Sequence, residues 1–548
     1  MPPTFTYPGV YIEELPSGVH TITGVATSIG AFVGWADQGP INQATLVQSW
    51  SDFANQFGGL DSRTLLGYAV NQFFANGGQQ AYIVRLVSDG GGGNTAAVAS
   101  SVEITGITFN STSSPSTVTI TTGGTGGLTL AAANPGAWGQ NYSIQIQPLS
   151  TDYTRFSLSV VYTDPTTNVQ SIVESFPNLS LNSADTQGRY VLNIINEQSQ
   201  YITASMGSPA LTINNTPSVP SSPTPSTPAS VGLGASVTGV DGTVLSPSTD
   251  PSTQGPFEAA LNSNPTASGG GIHLLDTVPI FNLLCVPGEI VPAIISNLQA
   301  YCVIERAFMI VDSQSDDTIT TLQYGPTGIT GSNSINSAFY FPWINQFDPV
   351  LNVTRPFPPC GFVAGLYAAT DASRGVWKAP AGIDASLTGD SGLTTILTDA
   401  QNGTLNPVAV NCLRNFPVYG DVIWGARTLQ GNDEAGSQWK YVPIRRLALF
   451  LESSLYDGTQ WVVFEPNDET LWGQIRLNVG AFMQQQFLQG AFQGTTPQQA
   501  YFVKCDSENN PQSSIDQGVV NILVGFAPLY PAEFVLIQIQ QMAGQLQS

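Results

Sequence analysis

The chain has 548 residues, of which 10% are charged, compared with about 25% in an average soluble domain. The formal net charge of −23 argues against nucleic-acid binding as the main activity. No apolar stretch is long enough to span a membrane, and the five widely spaced cysteines fit neither a disulfide framework nor a zinc site.

The first 20 residues predict an isolated strand arm. Val10 and Ile12 lie on one side of a short extended piece, and Tyr11 and Glu13 lie on the other. Prolines bracket this piece, which is typical of an edge strand or a detached arm. No basic region followed by an apolar run opens the chain, so we expect no signal peptide.

Residues 21–89 predict the first part of an α/β core. Ser28–Gly34 and Ala81–Val87 are predicted strands, and Leu65–Phe74 between them is a predicted helix. This order of strand, helix and strand favours a sheet flanked by helices.

Residues 90–235 predict an inserted β-rich domain, and the sequence shows no helical signals there. The segment begins with the glycines of Gly90–Gly93 and is then rich in Thr, Ser and Gly. It ends with Asn214–Ser230, a Pro/Ser/Thr-rich run that favours a semi-extended linker. Because such a linker is well solvated, we expect the insertion to face outwards.

Residues 236–527 return to an α/β pattern and predict the second part of the core. Val291–Val303 is a predicted helix. The predicted strands are Phe281–Val286, Ala307–Val311, Ala338–Trp343, Pro359–Ala369 and Tyr419–Trp424. The fold class is therefore an α/β core assembled from both parts of the chain, with an inserted β-rich domain and an extended strand arm at each end.

A helix is well signalled near residue 480. Asn467 is its predicted N-cap, Gly490 is its predicted end, and apolar residues such as Ile475 and Val479 recur at helical spacing. Its other face is rich in glutamine, which suits either a core helix or a helix that contacts a partner.

Residues 528–548 predict a C-terminal strand arm. Its alternating faces carry Val535, Ile537 and Ile539 on one side and Phe534 and Leu536 on the other. An apolar strand left unpaired promotes aggregation. It must therefore close its own sheet or add to the sheet of another subunit.

No motif supports catalysis, cofactor binding or metal binding, so we predict that the chain is not an enzyme. Gly389–Gly392 spells GDSG, but a serine nucleophile needs a histidine, and neither His20 nor His273 has suitable flanking residues. Three acidic residues could suggest calcium but lack the EF-hand pattern, and we expect them to cap a helix near Thr318 instead. These residues are Asp312, Asp316 and Asp317.

The basic residues are concentrated late in the chain. Nine of the fifteen fall between Arg355 and Arg476. Arg427, Arg445 and Arg446 are candidate ion-pair residues, either between subunits or within the core.

The C-terminal half resembles the tail sheath proteins of contractile phages and of related contractile injection systems. The N-terminal YPGVYIEE (Tyr7–Glu14) and ANPGAWGQ (Ala133–Gln140) are also similar to this family. The segments that carry the resemblance are Phe339–Pro349, Pro358–Ala381, Val422–Leu429, Tyr441–Leu447, Phe464–Asn467, Ala500–Asp506 and Pro531–Phe534.

The resemblance implies a sheath of stacked six-subunit rings around a rigid inner tube, whose contraction drives the tube through a target envelope. The implied partners are further copies of the chain, the tube protein, and baseplate and terminator proteins, without nucleic acid or membrane insertion. The terminal strands would complete sheets of neighbouring subunits. A helix near the C-terminus would face the tube, with Trp472, Arg476, Gln484 and Gln485 as candidate contacts.

The resemblance also implies synthesis in the bacterial cytoplasm and incorporation into a phage tail or a cell-encoded injection particle. The sequence fits both kinds of particle. An alternative function is a non-contractile shell or surface-layer protein built by strand exchange.

Overall fold

The computed structural model describes residues 20–110, 117–124, 126–149, 152–216, 228–263 and 270–538. These residues divide into two compact units. The smaller unit contains the described residues of 1–27, 370–379 and 439–548, and the larger unit contains those of 28–369 and 380–438. The predicted N-terminal strand at Val10–Glu13 lies outside the described residues.

The described strands belong to five sheets. In chain order the strands are β1 Gly30–Trp35, β2 Thr45–Val47, β3 Ala81–Leu86, β4 Ser101–Asn110, β5 Thr117–Thr122, β6 Leu128–Ala132, β7 Tyr142–Leu149, β8 Asp152–Thr163, β9 Gln170–Ser180, β10 Ile202–Met206, β11 Ile213–Thr216, β12 Ala229–Gly232, β13 Leu283–Cys285, β14 Phe308–Asp312, β15 Ser337–Phe341, β16 Ile344–Asp348, β17 Val353–Phe357, β18 Val410–Phe416, β19 Gly420–Ile423, β20 Tyr501–Lys504 and β21 Leu523–Phe526.

The α-helices are distributed over both units. In chain order they are α1 Trp50–Phe57, α2 Leu66–Ala75, α3 Val191–Gln198, α4 Pro256–Leu261, α5 Pro292–Ile304, α6 Ile319–Leu322, α7 Cys360–Arg374, α8 Asp399–Leu405, α9 Val442–Gly458, α10 Glu469–Leu488, α11 Pro497–Ala500 and α12 Gln512–Asp516. The prediction of a mixed α/β fold is confirmed.

The larger unit is built on an eight-stranded sheet in the order β19-β18-β15-β14-β13-β1-β3-β2. Its six central strands run parallel, and β2 and β19 form antiparallel edges. All six residues of β1 are buried, as expected of a parallel strand covered on both faces. The strand order reverses between β1 and β13, as it does in doubly wound folds.

The β-rich region of the same unit forms two antiparallel-dominated sheets with their own core. One sheet has the order β10-β6-β4-β11, with β5 paired to β4, and the other has the order β12-β7-β8-β9. Their inward side chains, such as Ile104, Ile144 and Phe156, are fully buried in one cluster. The region also contains α3, for which the sequence analysis found no signal, and this helix packs Val191 and Ile195 into that core.

The strand predicted at Pro359–Ala369 was also wrong, because this segment begins α7. The glycines of this segment allow close packing of the helix on α2. A Cβ on Gly361 would lie 2.5 Å from the Ala69 carbonyl oxygen, and one on Gly365 would lie 2.6 Å from the Phe73 carbonyl oxygen. Tertiary packing therefore overrides the local preference of these residues.

The smaller unit packs α9 and α10 with a two-stranded sheet of β20 and β21. The sequence signalled α10 but missed α9, in which Pro443 occupies the first turn, where proline is well tolerated. Asp468, and not Asn467, is the N-cap of α10 and accepts a hydrogen bond from the Leu471 amide at 3.0 Å. Gly490 has the left-handed backbone expected at the helix end.

Candidate assembly interface

Residues 531–538, the last described segment, expose a run of large apolar side chains. Phe534, Val535, Leu536 and Ile537 each expose between 77% and 82% of their surface. In this segment the structure shows no strand pairing. The segment is positioned at its start, where the Tyr441 hydroxyl donates a hydrogen bond to the Glu533 carboxylate at 3.0 Å. Ile539 lies outside the described residues.

The same unit contains a small sheet with unused edges. The strands β20 and β21 pair antiparallel from Tyr501 opposite Phe526 to Lys504 opposite Leu523. One face packs on the core of the unit, and the Tyr501 hydroxyl bonds Gln484 of α10 at 2.9 Å. Within the described residues, neither strand has a second ladder partner. A two-stranded sheet is marginal alone, so this one is suited to accept further strands.

The structure separates the candidate contacts of α10 into buried and exposed residues. Trp472 is 5% exposed and lies in the core, where its indole N–H donates to Asn467, so it is not available to a partner. Arg476 bonds Glu469 at 2.6 Å, and Gln484 is half-buried against Tyr501. Gln485 is exposed.

The sequence analysis missed an uncharged stripe on the exposed side of α10. Leu477 and Leu488 expose 58% and 75% of their surfaces, and Ala481 and Gln485 lie exposed between them. Their spacings of four, four and three residues place them on one helical face. The spacing of these residues is visible in the sequence. The sequence analysis considered only the neighbouring apolar stripe, which is the buried one.

The three candidate arginines are each paired within the chain. The pairs are Arg427–Asp433 at 2.9 Å, Arg445–Glu452 at 3.1 Å and Arg446–Asp371 at 2.6 Å. The last pair is the most buried, with both side chains only 3% exposed. Arg446 makes two bonds to Asp371 and a third to the Thr27 carbonyl oxygen, so its charge is well compensated.

The residues examined for chemistry have structural partners. The Ser391 amide donates to the Asn345 carbonyl oxygen of β16 at 2.7 Å, which ties the GDSG segment to that strand. His20 stacks on Trp461 with ring centroids 4.1 Å apart, and His273 lies beside Asp276. Within the described ranges, no cluster of three or more His, Cys, Asp or Glu side chains could hold a metal ion. No described helix has the length and apolarity needed to cross a bilayer.

The predicted aspartate caps were partly wrong. Thr318 itself caps α6 by accepting a hydrogen bond from the Thr321 amide, and Asp317 supports it through the Thr321 hydroxyl at 2.9 Å. Asp312 instead lies at the carboxyl end of β14 and accepts hydrogen bonds from the amides of Gly288 at 3.0 Å and Cys360 at 2.8 Å. Burial raises the pKa of Asp312 to about 6.

Comparison with protein families matches two segments of the chain to known domains. Residues 279–429 match the phage tail sheath protein central domain, and residues 434–542 match the phage tail sheath C-terminal domain. Nearly half of the chain therefore matches two domains of the phage tail sheath family. The family resemblance predicted from the sequence motifs is thereby confirmed. The matched ranges include α10, the β20–β21 sheet and the exposed C-terminal segment.

Individual sheath proteins are similar over shorter stretches. The tail sheath protein of Vibrio phage KVP40 is 25% identical over 259 residues, which cover 44% of this chain and 37% of that protein. A putative prophage major tail sheath protein of Pseudomonas aeruginosa is 27% identical over 199 residues, which cover 35% of this chain and 48% of that protein. The chain therefore matches less than half the length of these two relatives.

The fold is similar to that of a solved sheath over nearly the whole chain. The sheath complex of the PVC extracellular contractile injection system, in its contracted state, aligns with a TM-score of 0.56 and 20% identity. The alignment covers 98% of each chain. At 20% sequence identity, this similarity shows a shared fold.

Proposed function

We propose that the chain is the structural, non-catalytic subunit of a contractile sheath, which polymerises helically in stacked six-subunit rings around an inner tube. The matches to the central and C-terminal domains of tail sheath proteins support this proposal. The observation that carries it is the exposed apolar segment at residues 534–537 in the same unit as an unsaturated two-stranded sheet. Together they form a donor and an acceptor that can link identical subunits.

The C-terminal segment adds as a strand to the β20–β21 sheet of a neighbouring subunit. Main-chain hydrogen bonds supply affinity in such β-augmentation, and the alternating side chains supply register. Fully burying Val535 and Ile537, the two described apolar side chains of one face, contributes about 3–6 kcal/mol before the cost of ordering the arm. The N-terminal arm, including Val10–Glu13, would take the other edge of a sheet in the same way.

The uncharged stripe of α10 contacts the inner tube. Leu477, Ala481, Gln485 and Leu488 form this surface, while Arg476 is engaged with Glu469. Contact through such residues relies on packing and neutral hydrogen bonds, so its strength should depend only weakly on ionic strength.

Contraction releases energy stored in the assembled sheath. The extended sheath is a kinetically trapped state, and the strand links keep subunits joined while they move to the lower-energy contracted state. Baseplate and terminator proteins are the further partners implied, as in a phage tail or a cell-encoded injection particle.

Electron microscopy of the chain, alone and with its tube protein, tests the proposal. We expect wide hollow tubes from the chain alone and longer, narrower tubes when the tube protein is present. The double substitution Val535→Asp and Ile537→Asp should prevent long tubes, because it places charge on the buried face of the donated strand. Gln538→Asp, which adds a charge on the other face, is the matched control and should assemble.

The outcomes separate the alternatives. A monomer at high concentration would contradict the assembly proposal. Normal tubes from the double variant, or from a chain truncated before Glu533, would contradict strand exchange while leaving polymerisation intact. A single lattice with and without the tube protein would favour a non-contractile shell.

A further inference from the structure

The larger unit contains a cleft between its α/β core and its β-rich region. The cleft has a volume of about 670 Å³. Asp37 and the end of α1 line one side, and Trp138, Tyr142 and Tyr162 line the other. Small-molecule sites commonly measure about 300–1,000 Å³ and often lie where two domains meet.

The wall contributed by the β-rich region is aromatic. Tyr142 and Tyr162 lie directly opposite each other on β7 and β8, with ring centroids 5.2 Å apart. Tyr201 lies 5.3 Å from Tyr142, and Trp138 meets Tyr142 edge-on at 5.4 Å. In the described part of the chain, the hydroxyls of these three tyrosines have no hydrogen-bond partner. All three residues are half-buried and line the cleft, so their hydroxyls are accessible to a ligand there.

The opposite wall is polar and carries an uncommitted carboxylate. No described residue donates a hydrogen bond to the Asp37 side chain. Burial, followed by the nearby charges of Asp61 and Asp241, raises the pKa of Asp37 to about 6. The cation that lines the cleft, Arg63, is already paired with Asp61 and with Asp241 at 2.6 and 2.8 Å. Hydrogen-bond donors from a ligand would therefore find an unused acceptor.

We propose that this cleft binds a short neutral oligosaccharide. The C–H faces of sugar rings would pack on the aromatic wall, and their hydroxyls would donate to Asp37 and bond the unpartnered tyrosine hydroxyls. The Asn141 amide lies on the same rim and extends this set, whereas the Gln140 amide already donates to the Gly239 carbonyl oxygen at 2.6 Å.

The geometry disfavours other ligand classes. A phosphate or carboxylate ligand would meet Asp37 and Asp241 and find Arg63 already paired. A quaternary ammonium ligand is typically held in a cage of aromatic faces. Here the rings contact one another at 5.2–5.4 Å and leave no room between them for a cation.

Assembly would multiply a weak single-site affinity. If many copies are displayed on one particle, binding to a polysaccharide becomes multivalent and much tighter than one site alone. This consequence rests on the proposed function, whereas the site itself does not. Titrations of the unassembled chain and of assembled tubes distinguish the affinity of the single site from the gain due to multivalency.

The test is to titrate the full chain with maltotriose, cellotriose and triacetylchitotriose and to monitor binding by calorimetry and saturation-transfer NMR. We expect at least one of them to saturate with a Kd of about 5 mM or lower. Tyr162→Ala and Asp37→Asn should each weaken that binding at least tenfold. Tyr162→Phe, which keeps the ring, should weaken it less than Tyr162→Ala does. Tyr324→Ala removes a tyrosine that is 85% exposed outside the cleft, and should have no effect.

Three results would overturn the proposal. The first is that none of the trisaccharides saturates. The second is that a saccharide binds equally well to the wild type, Tyr162→Ala and Asp37→Asn, which would place its site elsewhere. The third is that spermidine, used as a cationic probe, binds in place of the saccharides and loses affinity in Asp37→Asn.

Discussion

Replacing Glu289 with Gln should change how the stability of the α/β core depends on pH. Glu289 is 1% exposed, and one of its carboxylate oxygens accepts the Val291 amide at 2.7 Å while the other has no described partner. Burial, with the nearby Glu258 as a smaller cause, raises its pKa from 4.5 to about 7. The folded state therefore keeps a proton that the unfolded chain releases near pH 4.5.

The sign and size of the effect follow from this difference. Glu289 has no net effect below about pH 4.5, where both states are protonated, and it destabilises the fold increasingly up to about pH 7. A pKa near 7 in place of 4.5 corresponds to a loss of about 3 kcal/mol in the free energy of unfolding above pH 7. Glu289→Gln keeps the acceptor for Val291 and removes the charge. The variant should therefore be more stable than the wild type at pH 8 by up to that amount and nearly equal to it at pH 4.5.

Amide hydrogen exchange of residues 283–304 measures this difference in stability locally, once the exchange rates are corrected for the intrinsic effect of pH. We expect exchange in Glu289→Gln to be up to about a hundredfold slower than in the wild type at pH 8 and similar to it at pH 4.5. Glu434→Gln, on an exposed turn, is the control and should match the wild type at both pH values. An identical pH dependence in the wild type and Glu289→Gln would refute the assignment of a buried, protonated carboxyl.

Three further substitutions test the packing and the proposed surfaces. Arg446→Met should lower the free energy of unfolding in urea by about 3–5 kcal/mol, because it leaves Asp371 charged and buried, and adding Asp371→Leu should restore most of the loss. Gly365→Ala should destabilise by about 1–3 kcal/mol through overpacking on α2, whereas Gly403→Ala, where a Cβ meets no atom within 4 Å, should be neutral or slightly stabilising in the same assay. Leu477→Asp should reduce co-sedimentation of the chain with tube protein without preventing the tubes it forms alone; unchanged co-sedimentation would contradict the role of the α10 stripe.

The parallel sheet was predictable because burial on both faces leaves a direct mark on the sequence. The segments that form β1, β3 and β14 are mostly apolar, with Arg85 in β3 and Asp312 at the end of β14 as exceptions, and short apolar runs of this kind are typical of buried strands. The register and the order of the strands depend on contacts between residues more than 200 positions apart, such as Gly30 opposite Leu283. Local pattern does not encode such pairings.

The errors share one physical cause, which is packing decided by a distant element. The glycines of α7 look like turn or strand residues until α2 is placed against them. Trp472 looks like a partner contact until the core of α9 and α10 encloses it. The C-terminal arm was recognisable because an apolar strand without a neighbouring strand is anomalous in its own sequence context. Its pairing in an assembly remains a prediction.

The doubly wound core raises the question of why such a fold would serve as a scaffold. Ligands of these folds bind at the carboxyl ends of parallel strands, where helix N-termini present free amides to an anion. Here Asp312 occupies that position, and its carboxylate accepts the amide of Cys360 at the start of α7 and the amide of Gly288 in the turn after β13. The protein thus supplies its own anion and uses the donors to fix α7 and the turn. With these two amides satisfied internally, this edge of the sheet offers an anion no free donor from them. We therefore propose that recognition lies instead at the C-terminal arm, the uncharged stripe of α10 and the aromatic cleft.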